Sequence, residues 1–131
     1  MGRALTVIVA DDDLLFSTRI ASALTGLGHR PLPVAGLAGF RDALNAAPDA
    51  AILNLAAFKL DALEAIRLAK GDPQTRTVPL LGFCGHADAV RRAAALGAGC
   101  DLLATNGEVS GSLPRVLERL LNTPRSSPPG L

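Results

Sequence analysis

The chain has 131 residues, a formal net charge of +1 and 49% hydrophobic residues. That length suits one compact domain and is short for two, and so even a charge balance gives no electrostatic case for nucleic acid or a membrane surface as partner. Base-stacking surfaces are excluded by the absence of Trp and Tyr and the presence of only four Phe, and no segment approaches the ~18 apolar residues of a membrane span.

In chain order, Leu5 to Ala10 is a β-branched apolar run and reads as a buried strand. It stops at Asp11-Asp12-Asp13, which also interrupts the N-terminal apolar run, so no signal peptide is expected. A helix follows, with Phe16, Ile20, Ala23, Leu24 and Leu27 on one face, a cap at Asp12 or Asp13, and an end at Gly28. His29 to Gly36 predicts a second strand. Pro31 and Pro33 lack N–H groups and, two residues apart, turn to the same side, so this strand belongs at a sheet edge. A second helix is expected from Leu37 to Ala47. Pro48-Asp49 then turns into Ala50-Ala51-Ile52-Leu53-Asn54-Leu55-Ala56, an apolar run broken by one amide, which reads as a central strand of a parallel sheet. A third helix buries Leu63 and Ile66, and a fourth strand spans Val78 to Phe83. A fourth helix spans Asp88 to Leu96 and is broken by Gly97 and Gly99. A short fifth strand is expected at Cys100 to Ala104. The last helix keeps Leu113, Val116, Leu117, Leu120 and Leu121 on one face, with Pro114 in its first turn. Residues 1–122 form the expected domain, and 123–131 the expected disordered tail.

Strict alternation of strand and helix predicts a single α/β domain: a doubly wound, five-stranded parallel sheet with helices on both faces. Right-handed crossovers and an edge position for strand 2 fit the flavodoxin-like (βα)5 order 2-1-3-4-5. Ligand crevices in such sheets lie at the carboxyl ends of the strands, here between strands 1 and 3, where Asp11, Asp12 and Asn54 converge. Cys84 and Cys100 lack metal-motif spacing and read as buried small hydrophobes in a reducing cytosol, so the expected location is cytoplasmic.

From about residue 5 to 122 the chain resembles the receiver domain of bacterial two-component response regulators. The likeness rests on Val7-Ile8-Val9-Ala10-Asp11-Asp12-Asp13, on Pro48 to Leu55, on Phe58-Lys59-Leu60-Asp61-Ala62-Leu63-Glu64, on Val78-Pro79-Leu80-Leu81 and on Gly97-Ala98-Gly99. The resemblance implies that Asp11 and Asp12 match the acids that hold a divalent metal. It implies that Asn54 stands where the family has its phosphoacceptor aspartate, Cys84 where it has a hydroxyl residue, and Ala104 where it has a lysine. Thr105 stands where a proline follows that lysine, and Asp101 at the aromatic switch position of strand 5. Phe58 replaces a loop proline and Ala62 a loop glycine.

An amide is a poor nucleophile and cannot form an acyl phosphate. Without the lysine one cationic clamp on the transferring oxygens is missing, and a thiol is a weak donor. The expected function is therefore a stand-alone pseudo-receiver that signals by protein–protein contact, is not phosphorylated by the usual aspartyl route and is not an enzyme. No cofactor is expected, with at most a weakened, vestigial Mg²⁺ site at Asp11 and Asp12. The Asn54 amide is also able to donate to Asp11 or Asp12. The plainer readings remain open: the three acids as helix cap and turn, and Asn54 as a polar plug at a strand end. Phe58 is expected to pack over the empty crevice, and His86 to be an ordinary loop residue. Arg91, Arg92, Arg115 and Arg119 lie on predicted helices 4 and 5, the expected surface for a protein partner or homodimer, with no role in nucleic-acid or membrane binding. The alternative is a flavodoxin-like ligand-binding protein or enzyme that reuses a crevice lined by Asp11, Asp12, Asn54, Cys84 and His86. No glycine-rich phosphate loop follows strand 1 to favour it.

Overall fold

The structure is a computed structural model that describes residues 3–124. Five parallel strands form one sheet in the order β2-β1-β3-β4-β5. They are β1 (Thr6–Ala10), β2 (Arg30–Val34), β3 (Ala50–Asn54), β4 (Leu80–Cys84) and β5 (Leu102–Thr105). The helices are α1 (Leu14–Gly26), α2 (Leu37–Leu44), α3 (Ala62–Gly71), α4 (Ala89–Ala98), α5 (Asn106–Gly111) and α6 (Leu113–Asn122). The tail expected from residue 123 lies, from 125 on, outside the described residues.

Alternation along the buried strands divides the core in two. Val7, Val9, Ile52, Leu81 and Phe83 pack with Ile20, Leu24, Val116 and Leu120 of α1 and α6. Ile8, Ala10, Leu53 and Leu80 pack with Phe40, Ile66 and Ala95 of α2, α3 and α4. The edge position of β2 holds as predicted. The Arg30 N–H donates to the Leu5 carbonyl and the Val34 carbonyl accepts from the Asp11 N–H, so residues 30, 32 and 34 turn their backbone groups toward β1. The nitrogens of Pro31 and Pro33 therefore face the open edge, where no ladder bond is lost.

Several boundaries differ from the sequence reading. Helix α2 stops at Leu44, three residues before its expected end, and Ala47 takes a positive φ of 54° in the turn that follows. Helix α4 runs through Gly97 to Ala98, and Gly99 alone ends it, in the left-handed region at φ 112°. A Cβ at Gly99 would also stand 3.0 Å from Cγ of Lys70. The fifth strand begins at Leu102 and not at Cys100. A short helix, α5, precedes the last one and was not expected. Its start is a capping box in which the Glu108 N–H donates to Thr105 Oγ1 (3.1 Å) and the Thr105 N–H donates to Glu108 Oε1 (2.9 Å).

Candidate functional site: a crevice at the carboxyl ends of β1 and β3

Asp11 and Asn54 close β1 and β3 on the same side of the sheet, and each of the three consecutive acids has a different task. Asp13 caps α1, its Oδ1 accepting from the N–H groups of Leu15 (3.1 Å) and Phe16 (3.2 Å). Asp12 reaches across to the β3–α3 loop and accepts from the N–H groups of Phe58 (3.1 Å), Lys59 and Leu60 (3.0 Å). Asp11 is only 2% exposed. Its Oδ1 accepts from Asn54 Nδ2 (3.0 Å) and the Asp13 N–H (2.9 Å), and its Oδ2 is buried with no hydrogen-bond partner among the described residues. The amide of Asn54 therefore does donate to an acid, and that acid is Asp11. Its own Oδ1 accepts from the Ala56 N–H (2.9 Å), which closes the turn after β3.

The electrostatics follow from these partners. Burial pushes the Asp11 carboxyl above the ordinary carboxylate range, outweighing the bonds from Asp13 and Asn54. At Asp12 burial acts in the same direction, but the backbone donors Lys59, Leu60 and Phe58 together hold its carboxyl below that range. On the α1 face of the sheet two rings pack together in the core. Phe83, in register with Asn54, stacks on Phe16 with ring centroids 5.2 Å apart. On the other side the Leu55 side chain crosses Gly82 so closely that a Cβ there would sit 2.9 Å from Leu55 Cδ2.

The remaining singled-out residues do not converge on this point. Cys84 ends β4 but is 1% exposed and packs in the core under α3 and α4, and burial raises its thiol pKa. Ala104 is level with Asn54 through Phe83 in the strand register, but its methyl is buried in the core under α1 and α6. Asp101 is a correction: it precedes β5 and lies at the amino end of the strands, away from the crevice. There its Oδ2 accepts from Lys70 Nζ (2.7 Å) and the Leu80 N–H (2.8 Å). Phe58 is another: it is 91% exposed and does not pack over the crevice, whereas Leu60, two residues on in the same loop, is the side chain that turns into the core. His86 is exposed in the loop before α4. Of the four arginines, Arg91 stands apart from the other three. Arg91 pairs with Asp88 (2.5 Å) and, with Phe58, Lys59, Leu63, Val90 and Ala94, lines a cavity of about 410 Å³ between the β3–α3 loop and α4. Arg92 and Arg119 instead neighbour Glu108, which Arg119 meets at 3.4 Å and whose carboxyl is held low first by the Thr105 N–H. Arg115 and Arg119 border one groove with Leu102 and Glu118.

No protein-family model matches this chain, and no curated protein does. Solved structures do. The receiver domain of sensor histidine kinase PA1611 from Pseudomonas aeruginosa, which has magnesium coordinated in its active-site cleft, matches with TM-score 0.80 and 24% identity over 91% of this chain and 98% of its own. Chemotaxis protein CheY4 of Vibrio cholerae matches with TM-score 0.81 and 16% identity over 91% of this chain and 100% of its own. NtrX of Brucella abortus matches with TM-score 0.79 and 23% identity over 91% of this chain, which spans 27% of the NtrX chain. The chain has the receiver fold.

On a receiver fold this crevice invites a test for a divalent cation. Mg²⁺ takes hard oxygen ligands, keeps several waters and needs near-octahedral space. Here N–H groups point their positive ends at both oxygens of Asp12, at the Asn54 carbonyl and at Asp11 Oδ1, so the one carboxylate oxygen of this pair without a donor is Asp11 Oδ2, which is buried. That donor set does not fit the cation. Two features of the site escaped the sequence reading. The Phe16–Phe83 stack leaves no local pattern. The Thr105 cap does leave one, Thr-x-x-Glu, which sequence inspection is able to find.

Proposed function

We propose that this receiver-fold domain is a pseudo-receiver, acting through protein–protein contact and not through aspartyl phosphorylation. The observation that carries the reading is the Asn54 side chain at the end of β3. Its nitrogen is spent as a donor to Asp11 and its oxygen as an acceptor from Ala56. Phosphoryl transfer needs an anionic oxygen in line with the phosphorus and positive charge on the equatorial oxygens. The amide supplies no such anion, Ala104 carries no ammonium, and the buried Lys70 is committed to Asp101 at the far end of the sheet.

The enzyme alternative finds no support in the geometry. Its nucleophile would be Cys84, a buried thiol with a raised pKa, while the only nearby base in sequence, His86, is out in solvent. For partner contact, the reading favours the surface where α4 and α6 flank the edge strand β5, with Arg92, Arg115 and Arg119 around it and a protein or a second copy as occupant. Two free buried thiols suit a reducing cytoplasm, and among the described residues no helix is long and apolar enough to cross a membrane.

Incubation with acetyl phosphate and Mg²⁺ followed by intact-mass measurement tests the reading. The expected result is no adduct on the wild-type protein. A stable phosphoryl adduct that survives in wild type would refute it.

A further inference from the structure

We propose that Asp12 is a loop clamp in this chain and not a cation ligand, so that the β3–α3 loop keeps its shape without any divalent ion. The inference deepens the pseudo-receiver reading and shares its receiver-like layout, but it does not depend on the loss of phosphorylation.

Both oxygens of Asp12 are used. Oδ1 accepts from the Phe58 N–H, and Oδ2 from those of Lys59 and Leu60. Three consecutive backbone N–H groups around one carboxylate form an anion-binding concavity, and hydrogen bonds to an ionised acceptor are the strong kind. A cation that approached Asp12 would meet the positive ends of these N–H groups and would have to share Oδ1 with the Phe58 amide. Asp11 offers no substitute, because its one unpartnered oxygen is buried and a hydrated ion cannot reach it without displacing the wall. Two consecutive carboxylates still repel each other, and a cation would relieve that. Here the relief comes from donors: Asn54 Nδ2 on Asp11 and the loop amides on Asp12. Asn54 and the clamp thus form one device in which neutral N–H groups carry out the charge balancing. The same device holds the backbone of a loop that exposes the Phe58 ring and buries the Leu60 side chain.

The test uses the full chain, labelled with ¹⁵N, and reads amide hydrogen exchange and chemical shifts at residues 11–13 and 54–60. In metal-free buffer the amides of Phe58, Lys59 and Leu60 are expected to be protected, and millimolar MgCl₂ is expected to cause no saturable shift beyond that of NaCl at equal ionic strength. Asp12→Asn should speed exchange at those three amides about tenfold or more while the protection of β1 and β3 is kept. Should that variant fail to fold, Asn54→Asp serves: it leaves the Asp12 acceptors in place, and the three amides should stay protected without Mg²⁺. Unprotected loop amides in metal-free wild type, or saturable Mg²⁺ shifts at Asp11, Asp12 and the loop, overturn the clamp. The two readings fail separately. A phosphoryl adduct on wild type defeats the pseudo-receiver and leaves metal-free loop protection standing, whereas Mg²⁺-dependent loop shifts without an adduct defeat only the clamp.

Discussion

A buried carboxylate stands at each end of the sheet, and the two are neutralised by different means. At the amino end Asp101 meets the ammonium of Lys70, itself fully buried, whose Nζ also donates to the carbonyls of Arg76 (2.9 Å) and Val78 (3.1 Å). At the carboxyl end Asp11 meets only amide donors and keeps one orphaned oxygen. A buried charge with a full set of partners ties three segments together there: the end of α3, the loop that leads into β4, and the approach to β5. A buried charge with half a set does the opposite, raising the energy of the folded state at the one place where open α/β sheets carry their ligands. Residue type alone does not separate a structural aspartate from a site aspartate; the partners do.

The contrast predicts effects of opposite sign. Lys70→Met leaves Asp101 buried without its ammonium and should cost about 3–5 kcal/mol of unfolding free energy, read by urea denaturation. Adding Asp101→Leu should recover much of that loss, and failure to recover would mean that the backbone bonds of Lys70 matter more than the ion pair. Asp11→Asn removes the desolvated charge and should stabilise the protein at neutral pH. The sign follows from linkage. The folded Asp11 pKa is raised, so the folded state binds that proton more tightly than the unfolded chain does. Ionised Asp11 therefore lowers stability, and this penalty fades as pH falls through the raised pKa. The advantage of Asp11→Asn should shrink in parallel, and denaturation at neutral and mildly acidic pH checks it.

A third variant bears on the cap near the crevice. Thr105→Ala removes the acceptor at the start of α5 and should cost about 1 kcal/mol, read by urea denaturation, while the Glu108 carboxyl keeps the Thr105 N–H and should stay below its ordinary range. The smallest effect belongs to the most exposed ring. Phe58→Ala should change stability by no more than about 0.5 kcal/mol; a loss of several times that would put the ring back over the crevice.

The arrangement of the sheet was legible because it rests on local chemistry. Two prolines without N–H groups confine β2 to an edge, a run apolar on both faces puts β3 in the middle, and Asn54 at its end follows from counting. The meeting of Asp11, Asp12 and Asn54 was legible for the same reason, since parallel strands bring like ends together. The Lys70–Asp101 pair was not. Its partners lie 31 residues apart, and Lys70 on an amphipathic helix beside Arg67 reads as an ordinary surface cation. The place of Asp101 ahead of β5 was hidden too, because it depends on Gly99, and not Gly97, ending α4. The outward turn of Phe58 was equally hidden, because nothing in the loop sequence says which of Phe58 and Leu60 turns inward.

The paired prolines of β2 have an effect beyond pairing within the fold. An outer strand that bares a row of backbone donors is a template on which another chain can lay a strand, the first step of sheet-to-sheet polymerisation. Pro31 and Pro33 present ring carbons where those donors would be, so this border cannot be extended in register, and growth of the sheet into a fibre is blocked on that side at every copy of the molecule.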